Sequence, residues 1–416
     1  MLVDLSRMKR IVRVDQDFGY AIIEPGVTQA ALAEHLAAHH PGLSVNFTGS
    51  FAHTSIVGNV LDRGDGPYAR IHDLLGVRGI LGSGERFQVG GLWAALEASQ
   101  PSHHIRRTAG PDLTALFSQG SFGIVTQMAF RLLHRPERLW IFWGSADDEK
   151  LEDVVNALGR RGRRGVIDIG RVNVGYENRF IQARDTLAMT PASERGAPAW
   201  NFYVTIGGTA RATDVLLEEV REELVPFCRS TGATCAGPEH DLRSELPPFL
   251  QPLVKPLLGT PDADSIKIIY TLTGTPLPED DLDVDPDRTP FGMKCYIPIV
   301  PFRGSDVRRA TGIVAGVRNS TGLQNVKLSF FGDGRTLITI HFRSDDPAQV
   351  ALAERCEDAL WTQMVAAGFP PYRVAIDQME RLVALDPEFF GIVERIKSLL
   401  DPNGIIAPGR YSPLSR

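Results

Sequence analysis

Apolar and polar positions alternate from the first residues of the chain. Leu2–Leu5 and Ile11–Val14 carry the period-two pattern of half-buried strands. Tyr20–Glu24 reads as another strand, closed by Pro25-Gly26, and Thr28 stands as the N-cap of a helix running to about Ala38. Up to about Arg135 the texture is glycine-rich with short strands: "YAIIEPG", "GVRGILGSGERFQVG", "GSFGIVTQMAFRLLHRPE". Beyond Pro136 it changes. "RLWIFWGS" reads as a strand, Asp147–Arg160 as a helix, and "DIGRVNVGY" and "NFYVTIGG" as strands. Thr213–Cys228 reads as a helix with a charged face of Glu218, Glu219, Arg221 and Glu222. "SIKIIYTLTG" and "MKCYIPIVPF" are expected strands, Asp306–Val317 a helix, "NVKLSFFG" and "TLITIHFRS" strands, and Ala348–Ala367 a long helix. This order predicts an antiparallel sheet with helices on one side, an α+β layer distinct from the first part.

At 416 residues the chain is too long for one ordinary core, so two domains are the default. A hydrophobic content of 43% with 23% charged residues excludes wholesale disorder. The net charge of −6 argues against a nucleic-acid partner, which needs a basic field. Cys228, Cys235, Cys295 and Cys356 stand far apart with no CxxC pair, the pattern of reduced thiols rather than of a disulfide framework or thiolate metal site. Asp4, Arg7, Lys9 and Arg10 interrupt any apolar leader, and no run approaches the ~20 apolar residues of a membrane helix. A cytoplasmic protein without membrane contact is the expectation.

Several motifs weigh little. "TPLPEDDLDVDPDRTP" is an acidic, proline-rich loop without the glycine and terminal glutamate of an EF-hand. His39-His40 and His103-His104 are adjacent pairs, poorly placed to share a ligand, and the second pair beside Arg106 and Arg107 reads as a solvated polar loop. "GSGERF" lacks the third glycine of a Rossmann fingerprint and sits in a hairpin. No metal site is expected.

Three segments taken in order are more specific: "VDLSRMKRIVRVDQDFGYAIIEPGVT", then "TSIVGNVLDRGDG" followed by "GPDLTALFSQGSFGIVTQM", and "LDPNGIIAPGRY" near the end. Together with "DPDRTPFGMKCYIPIVPFRG" and "PPYRVAIDQM" they resemble FAD-linked oxidases of the vanillyl-alcohol oxidase/p-cresol methylhydroxylase type, over Leu2–Tyr411. The resemblance implies an α+β fold: an FAD-binding domain from both chain ends, 1–136 and 369–416, and a ferredoxin-like antiparallel-sheet cap over 137–368. In that family an "RGxGxSYG"-like pyrophosphate loop in a βαβ piece precedes "VDLSRM". It is absent here, so the chain resembles a member short of its first subdomain. A misplaced start codon, a separate polypeptide supplying the piece, or its loss with weak or no flavin binding each account for this. A homodimer or a partner covering the missing subdomain is expected.

By the same resemblance, Thr54, Ser55, Gly58 and Asn59 fall in a ring-and-phosphate turn, Ser121, Gly123, Ile124 and Val125 in a strand on the adenine side, and Asn403, Ala407, Pro408 and Gly409 in the closing motif. Asp62 corresponds to an acidic residue beside the flavin that takes up a proton or activates water, a task suited by a buried carboxylate of raised pKa. Tyr372 and Arg373 match a pair that holds a substrate phenolate; arginine forks two donors and tyrosine adds a directed one. The stretch corresponding to covalent flavin attachment is near Arg335-Thr336, neither able to form the usual link, and His341 lies about a turn too late. Non-covalent FAD follows. "PYARIHDLLG" replaces the usual "YTPYGDH" and alters a pocket wall. The implied activity is hydride transfer from a small para-substituted phenol or related alcohol to flavin. The alternative is a flavin-free or split-subunit scaffold acting as a binding partner or redox-neutral catalyst.

Overall fold

The computed structural model describes residues 2–48, 52–64, 69–90, 109–165, 167–168, 172–176, 200–236, 246, 250, 254–261, 263–280, 284–323 and 325–412. The pairs His103-His104 and Arg106-Arg107 lie outside them. The chain forms two units, Met1–Arg135 with Gly259–Asp262 and Val374–Arg416, and Pro136–Leu258 with Ala263–Arg373.

The first unit is built on a five-stranded sheet. Its strands are β1 (Ile11–Asp15), β2 (Tyr20–Ile23), β4 (Leu74–Leu81), β5 (Arg86–Gly90) and β6 (Gly123–Arg131), in the order β1-β2-β6-β4-β5, every pair antiparallel. A small pair, β3 (Leu43–Ser44) with β7 (Leu133–His134), stands apart. Helix α1 (Gln29–His39) starts at Thr28, whose hydroxyl accepts the Ala31 N–H at 3.2 Å. Leu32 and Leu36 of α1, Ile56, Val57 and Val60 of the short α2 (Ile56–Leu61), and Val77, Met128 and Phe130 of the sheet close one apolar core. Leu2–Leu5, expected as a strand, lies outside the sheet. The ladder begins at Ile11, and the preceding residues instead accept from the turn after β2, Gly26 N–H to the Met8 carbonyl at 2.7 Å.

The second unit carries an eight-stranded sheet in the order β11-β8-β10-β9-β13-β14-β12-β15. Its strands are β8 (Arg138–Ala146), β9 (Val172–Tyr176), β10 (Trp200–Gly208), β11 (Ser230–Ala236), β12 (Phe291–Pro298), β13 (Val326–Phe331), β14 (Thr336–Arg343) and β15 (Pro371–Arg373), again all antiparallel. Residues paired directly across antiparallel strands share a face, which sorts the sheet. Trp140, Phe142, Val204, Val174, Phe330, Leu328, Ile338 and Lys294 face the helices. There α4 (Ala210–Leu224) packs on β8 and β10, α7 (Gly304–Thr321) on β13, and α8 (Pro347–Ala366) on β12 and β14, with α3 (Leu151–Arg163) between α4 and α7. On the other face Leu139 and Ile141 join Leu246 and Leu250, backed by Leu257 of α5 (Val254–Leu257).

"SIKIIYTLTG", expected as a strand, is α6 (Asp264–Thr273), stopped by Gly274 at φ +71°. Ile266, Ile269, Tyr270 and Thr273 recur at helical spacing, and a short apolar run leaves strand and helix undecided by periodicity alone. The Tyr270 ring settles it, buried with its hydroxyl donating to the Asp285 carbonyl at 2.9 Å. Two helices, α9 (Met379–Leu385) and α10 (Pro387–Leu400), return the chain to the first unit. Among the described residues no helix is long and apolar enough to cross a membrane.

Candidate functional site

In the first unit the expected cofactor residues gather around α2. Ser55 caps it: its hydroxyl accepts the Gly58 N–H at 3.1 Å and donates to the Pro25 carbonyl at 2.6 Å, while the Thr54 carbonyl accepts the Gln29 N–H at 3.1 Å. The Asn59 Oδ1 accepts from Arg70 Nη1 at 2.8 Å, and that arginine is only 1% exposed. Gly58 differs from its neighbours. Among the described residues a methyl group added there meets the Ser55 side chain at ordinary contact distance, so packing does not demand glycine. Gly123 is the opposite case, since an added Cβ falls 2.5 Å from the Ile80 carbonyl oxygen; this glycine serves the β4–β6 ladder.

Asp62 ends α2 and forms an ion pair with Arg410, the two side chains 38% and 39% exposed. It is thus an accessible, arginine-paired carboxylate rather than the buried acid expected from sequence. Arg63 turns away to donate to the Ser118 hydroxyl at 3.0 Å. Around this point four non-glycine residues adopt left-handed backbone: Arg63 (φ 54°), Gln119 (55°), Ala407 (40°) and Tyr411 (52°). They are linked, because the Gln119 N–H donates to the Leu61 carbonyl and the Arg410 N–H to that of Ala407.

Ser121, Ile124 and Val125 lie where β6 enters the sheet. Among the described residues β4 is the ladder partner of Gly123–Gln127, whereas Met128–Arg131 is paired by β2 as well. Asn403, Ala407 and Pro408 are exposed in the closing loop, where Gly409 takes φ +80°. A buried ammonium ties these two segments together. Lys397 Nζ donates to the Ser121 carbonyl, to the Ile406 carbonyl at 2.5 Å and to Asp401 Oδ2 at 2.5 Å. The Asp401 carboxylate in turn accepts the Ile405 and Ile406 N–H groups at 3.1 and 2.9 Å. Burial works to raise the Asp401 pKa, but Lys397 and those two N–H groups outweigh it and hold the carboxyl below its ordinary value. Sequence reasoning missed both residues. The available signal was the i,i+4 spacing in "KSLLD", with the lysine on the apolar stripe of α10.

In the second unit Tyr372 and Arg373 form the end of β15, against β12. Arg373 pairs with Ile297, and Ile299 with Arg335, so Arg335 and Arg373 project to the face opposite the helices. Arg335 is 2% exposed and donates to Asp333 at 2.8 Å. Burial pushes its pKa down to about 10, opposed by electrostatic attraction to Tyr372. The expected phenolate pair therefore comes with a second, buried guanidinium. Sequence reading had placed Arg335 only as a residue unable to bind flavin covalently.

The first unit's donor set fits FAD, an anion rich in acceptors: three arginines (Arg63, Arg70, Arg410) around α2, and the buried Thr114 hydroxyl and Gln119 Nε2, which make no hydrogen bond among the described residues. Comparison with known proteins agrees. Residues 1–90 match the FAD binding domain family. The chain is 27% identical to a 1'-carboxy-chondrochloren decarboxylase of Chondromyces crocatus, covering 99% of this chain and 81% of that protein. It is 23% identical to the 4-cresol dehydrogenase [hydroxylating] flavoprotein subunit of Pseudomonas putida, over 99% and 78%. A crystal structure of p-cresol methylhydroxylase with substrate bound superposes with a TM-score of 0.82 at 22% identity, over 98% of this chain and 79% of the other. Residues 1–90 thus carry an FAD binding domain, and the chain as a whole is similar in sequence to the flavoprotein subunit of 4-cresol dehydrogenase and shares the fold of p-cresol methylhydroxylase.

Proposed function

We propose that the protein oxidises a small para-substituted phenol by removing a hydride from the substituent carbon attached to the ring para to the oxygen. The first unit acts as the FAD-binding domain and the second as the substrate cap. The observation that carries this reading is the buried Arg335 guanidinium on the same sheet face as Arg373, whose short strand β15 also bears Tyr372. Two fixed positive charges and a phenolic donor favour a bound phenolate over the neutral phenol. The oxyanion releases electron density toward the para carbon, and the same donors stay in place as the charge moves. FAD, when bound, supplies the hydride acceptor; Thr54, Ser55, Gly58, Asn59, Ser121, Gly123, Ile124, Val125, Asn403, Ala407, Pro408 and Gly409 are its proposed neighbours. Asp62, oriented by Arg410, takes up the proton or activates water. Neither Arg335 nor Thr336 offers the usual covalent link, so FAD is held non-covalently.

A visible spectrum of the purified protein, taken before and after incubation with FAD and desalting, tests the reading. Retained flavin bands that bleach anaerobically with 4-ethylphenol, and flavin set free on denaturation, are the expected result. A protein that retains no flavin, or retains it without bleaching, would sink the proposal. The decarboxylase relative favours a second reading. Where the carbon next to the oxidised one bears a carboxylate, its C–C bond can break, carbon dioxide leaves, and the electron pair enters the new double bond. Carbon dioxide released in step with flavin bleaching distinguishes this outcome.

A further inference from the structure

His39 and His40 are adjacent in sequence, and neighbouring side chains on a helix diverge by about 100°. The fold brings His39 together with a different histidine. His35 lies four residues earlier on α1, so the two imidazoles stand one above the other on a single face, their ring centres 4.8 Å apart and their planes 53° from parallel. His40, the C-cap, has its ring centre 5.9 Å from that of His35, and its Nδ1 meets the Gln16 side-chain oxygen at 3.2 Å. His35 is half-buried and His39 exposed. Burial, and then the neighbouring imidazoles, hold the His35 pKa below its ordinary value, which leaves a ring nitrogen lone pair available at neutral pH. Leu36, next to His35, is 1% exposed in the core, so the backbone that carries the pair is fixed in advance.

We propose that His35 and His39 form a two-imidazole site for a borderline divalent transition-metal ion, with water in the remaining positions. With a metal–nitrogen bond of about 2.1 Å and a ring centre about 1.1 Å behind the nitrogen, two imidazoles on one ion at a square or tetrahedral angle have their centres about 4.5–5.2 Å apart. The His35–His39 separation of 4.8 Å falls inside that range, and the His35–His40 separation of 5.9 Å falls outside it. This agrees with the wider search: among the described residues no group of three or more His, Cys, Asp or Glu side chains is arranged to hold a metal, and the site is a pair. The pair also sits at the C-terminal end of α1, where the helix carbonyls favour a cation. Imidazole donors select Cu²⁺ over Zn²⁺ in affinity, and both over Mg²⁺ and Ca²⁺, which require oxygen ligands.

The test is calorimetric titration of the full chain, prepared without a histidine tag, with CuCl₂, ZnCl₂ and MgCl₂, for the wild type, His35→Gln, His39→Gln and His40→Gln. The wild type binds one Cu²⁺ per chain more tightly than Zn²⁺ and shows no Mg²⁺ heat. His35→Gln and His39→Gln each weaken Cu²⁺ binding about 10- to 100-fold, the loss expected when a chelate becomes a single ligand, and His40→Gln stays within about threefold. His39→Gln, at an exposed position, carries the test if His35→Gln does not fold. Electron paramagnetic resonance of the copper complex shows splitting from two imidazole nitrogens in the wild type and from one in His39→Gln. A wild type without saturable Cu²⁺ binding, or His35→Gln and His39→Gln proteins that bind Cu²⁺ as the wild type does, overturns the proposal. So does an equal loss in His40→Gln.

Discussion

Replacing Lys397 with methionine removes a buried cation that joins α10, the start of β6 and the closing loop. The side chain's hydrogen-bond partners are two backbone carbonyls and the Asp401 carboxylate, and Lys397 and Asp401 are 5% and 1% exposed. Methionine keeps the volume, so the loss is electrostatic: an isolated carboxylate held by two N–H groups, plus two carbonyls lacking their donor. Breaking a buried pair by deleting one partner costs about 3–5 kcal/mol, a large part of a typical stability of about 5–15 kcal/mol. The expected drop in melting temperature is roughly 6–20 °C. The sign of the pH dependence follows from Asp401. A carboxyl whose pKa is lower in the folded state contributes stability above its unfolded pKa of about 3.9, and that contribution is lost as the pH falls through the folded value. The stability gap between wild type and variant is therefore full at neutral pH and narrows below about pH 4. Urea titrations of both proteins at pH 7 and pH 4 read it directly. A loss under about 1 kcal/mol at pH 7, or a gap independent of pH, would refute the buried-pair reasoning.

Other substitutions separate fold from ligand. Gly123→Ala places a methyl 2.5 Å from the Ile80 carbonyl and costs about 1–3 kcal/mol by urea unfolding. Gly58→Ala makes only ordinary contact with the Ser55 side chain on a helix and is neutral or stabilises by up to about 1 kcal/mol; fluorescence titration with FAD nevertheless shows weaker binding if Gly58 lies against the cofactor. Asp62→Asn breaks a half-exposed ion pair, so stability changes by less than about 1 kcal/mol, while turnover falls about 10²–10⁴-fold in steady-state assays if Asp62 handles the proton. Thiol reagents label exposed Cys295 first; Cys228 and Cys356, their thiols pushed up by burial to about 12 and about 11, react last in a timed mass-spectrometric series.

The α+β class and most strands were legible because alternation survives wherever one sheet face is buried, as in "TLITIHFRS" and "NFYVTIGG". Thr28 announced its helix through local capping chemistry. The failures have a common cause in non-local context. "STGATCA" carries a weak strand pattern and becomes β11 because β8 offers it a ladder. α6 is a helix through the burial of Tyr270. Asp62 stands out in the sequence motif, but its ion-pair partner Arg410 is 348 positions away. "KSLLD" looks like a solvated helix pair until the carbonyls of Ser121 and Ile406 close over it. Arg335 and Arg373 share a face only through their register against β12.

The four left-handed residues around α2 and the closing loop hold one another in place. Each non-glycine residue in that conformation costs on the order of 1 kcal/mol, and none is retained by its own local preference. The Gln119 N–H holds Leu61, Arg63 holds Ser118, and Arg410 holds Asp62, so relaxation at one position removes the restraint on the next. A change at any one of these positions therefore acts on its neighbours, so substitutions made far apart in the sequence, at Arg63, Gln119 or Arg410, all bear on the same small surface around Asp62.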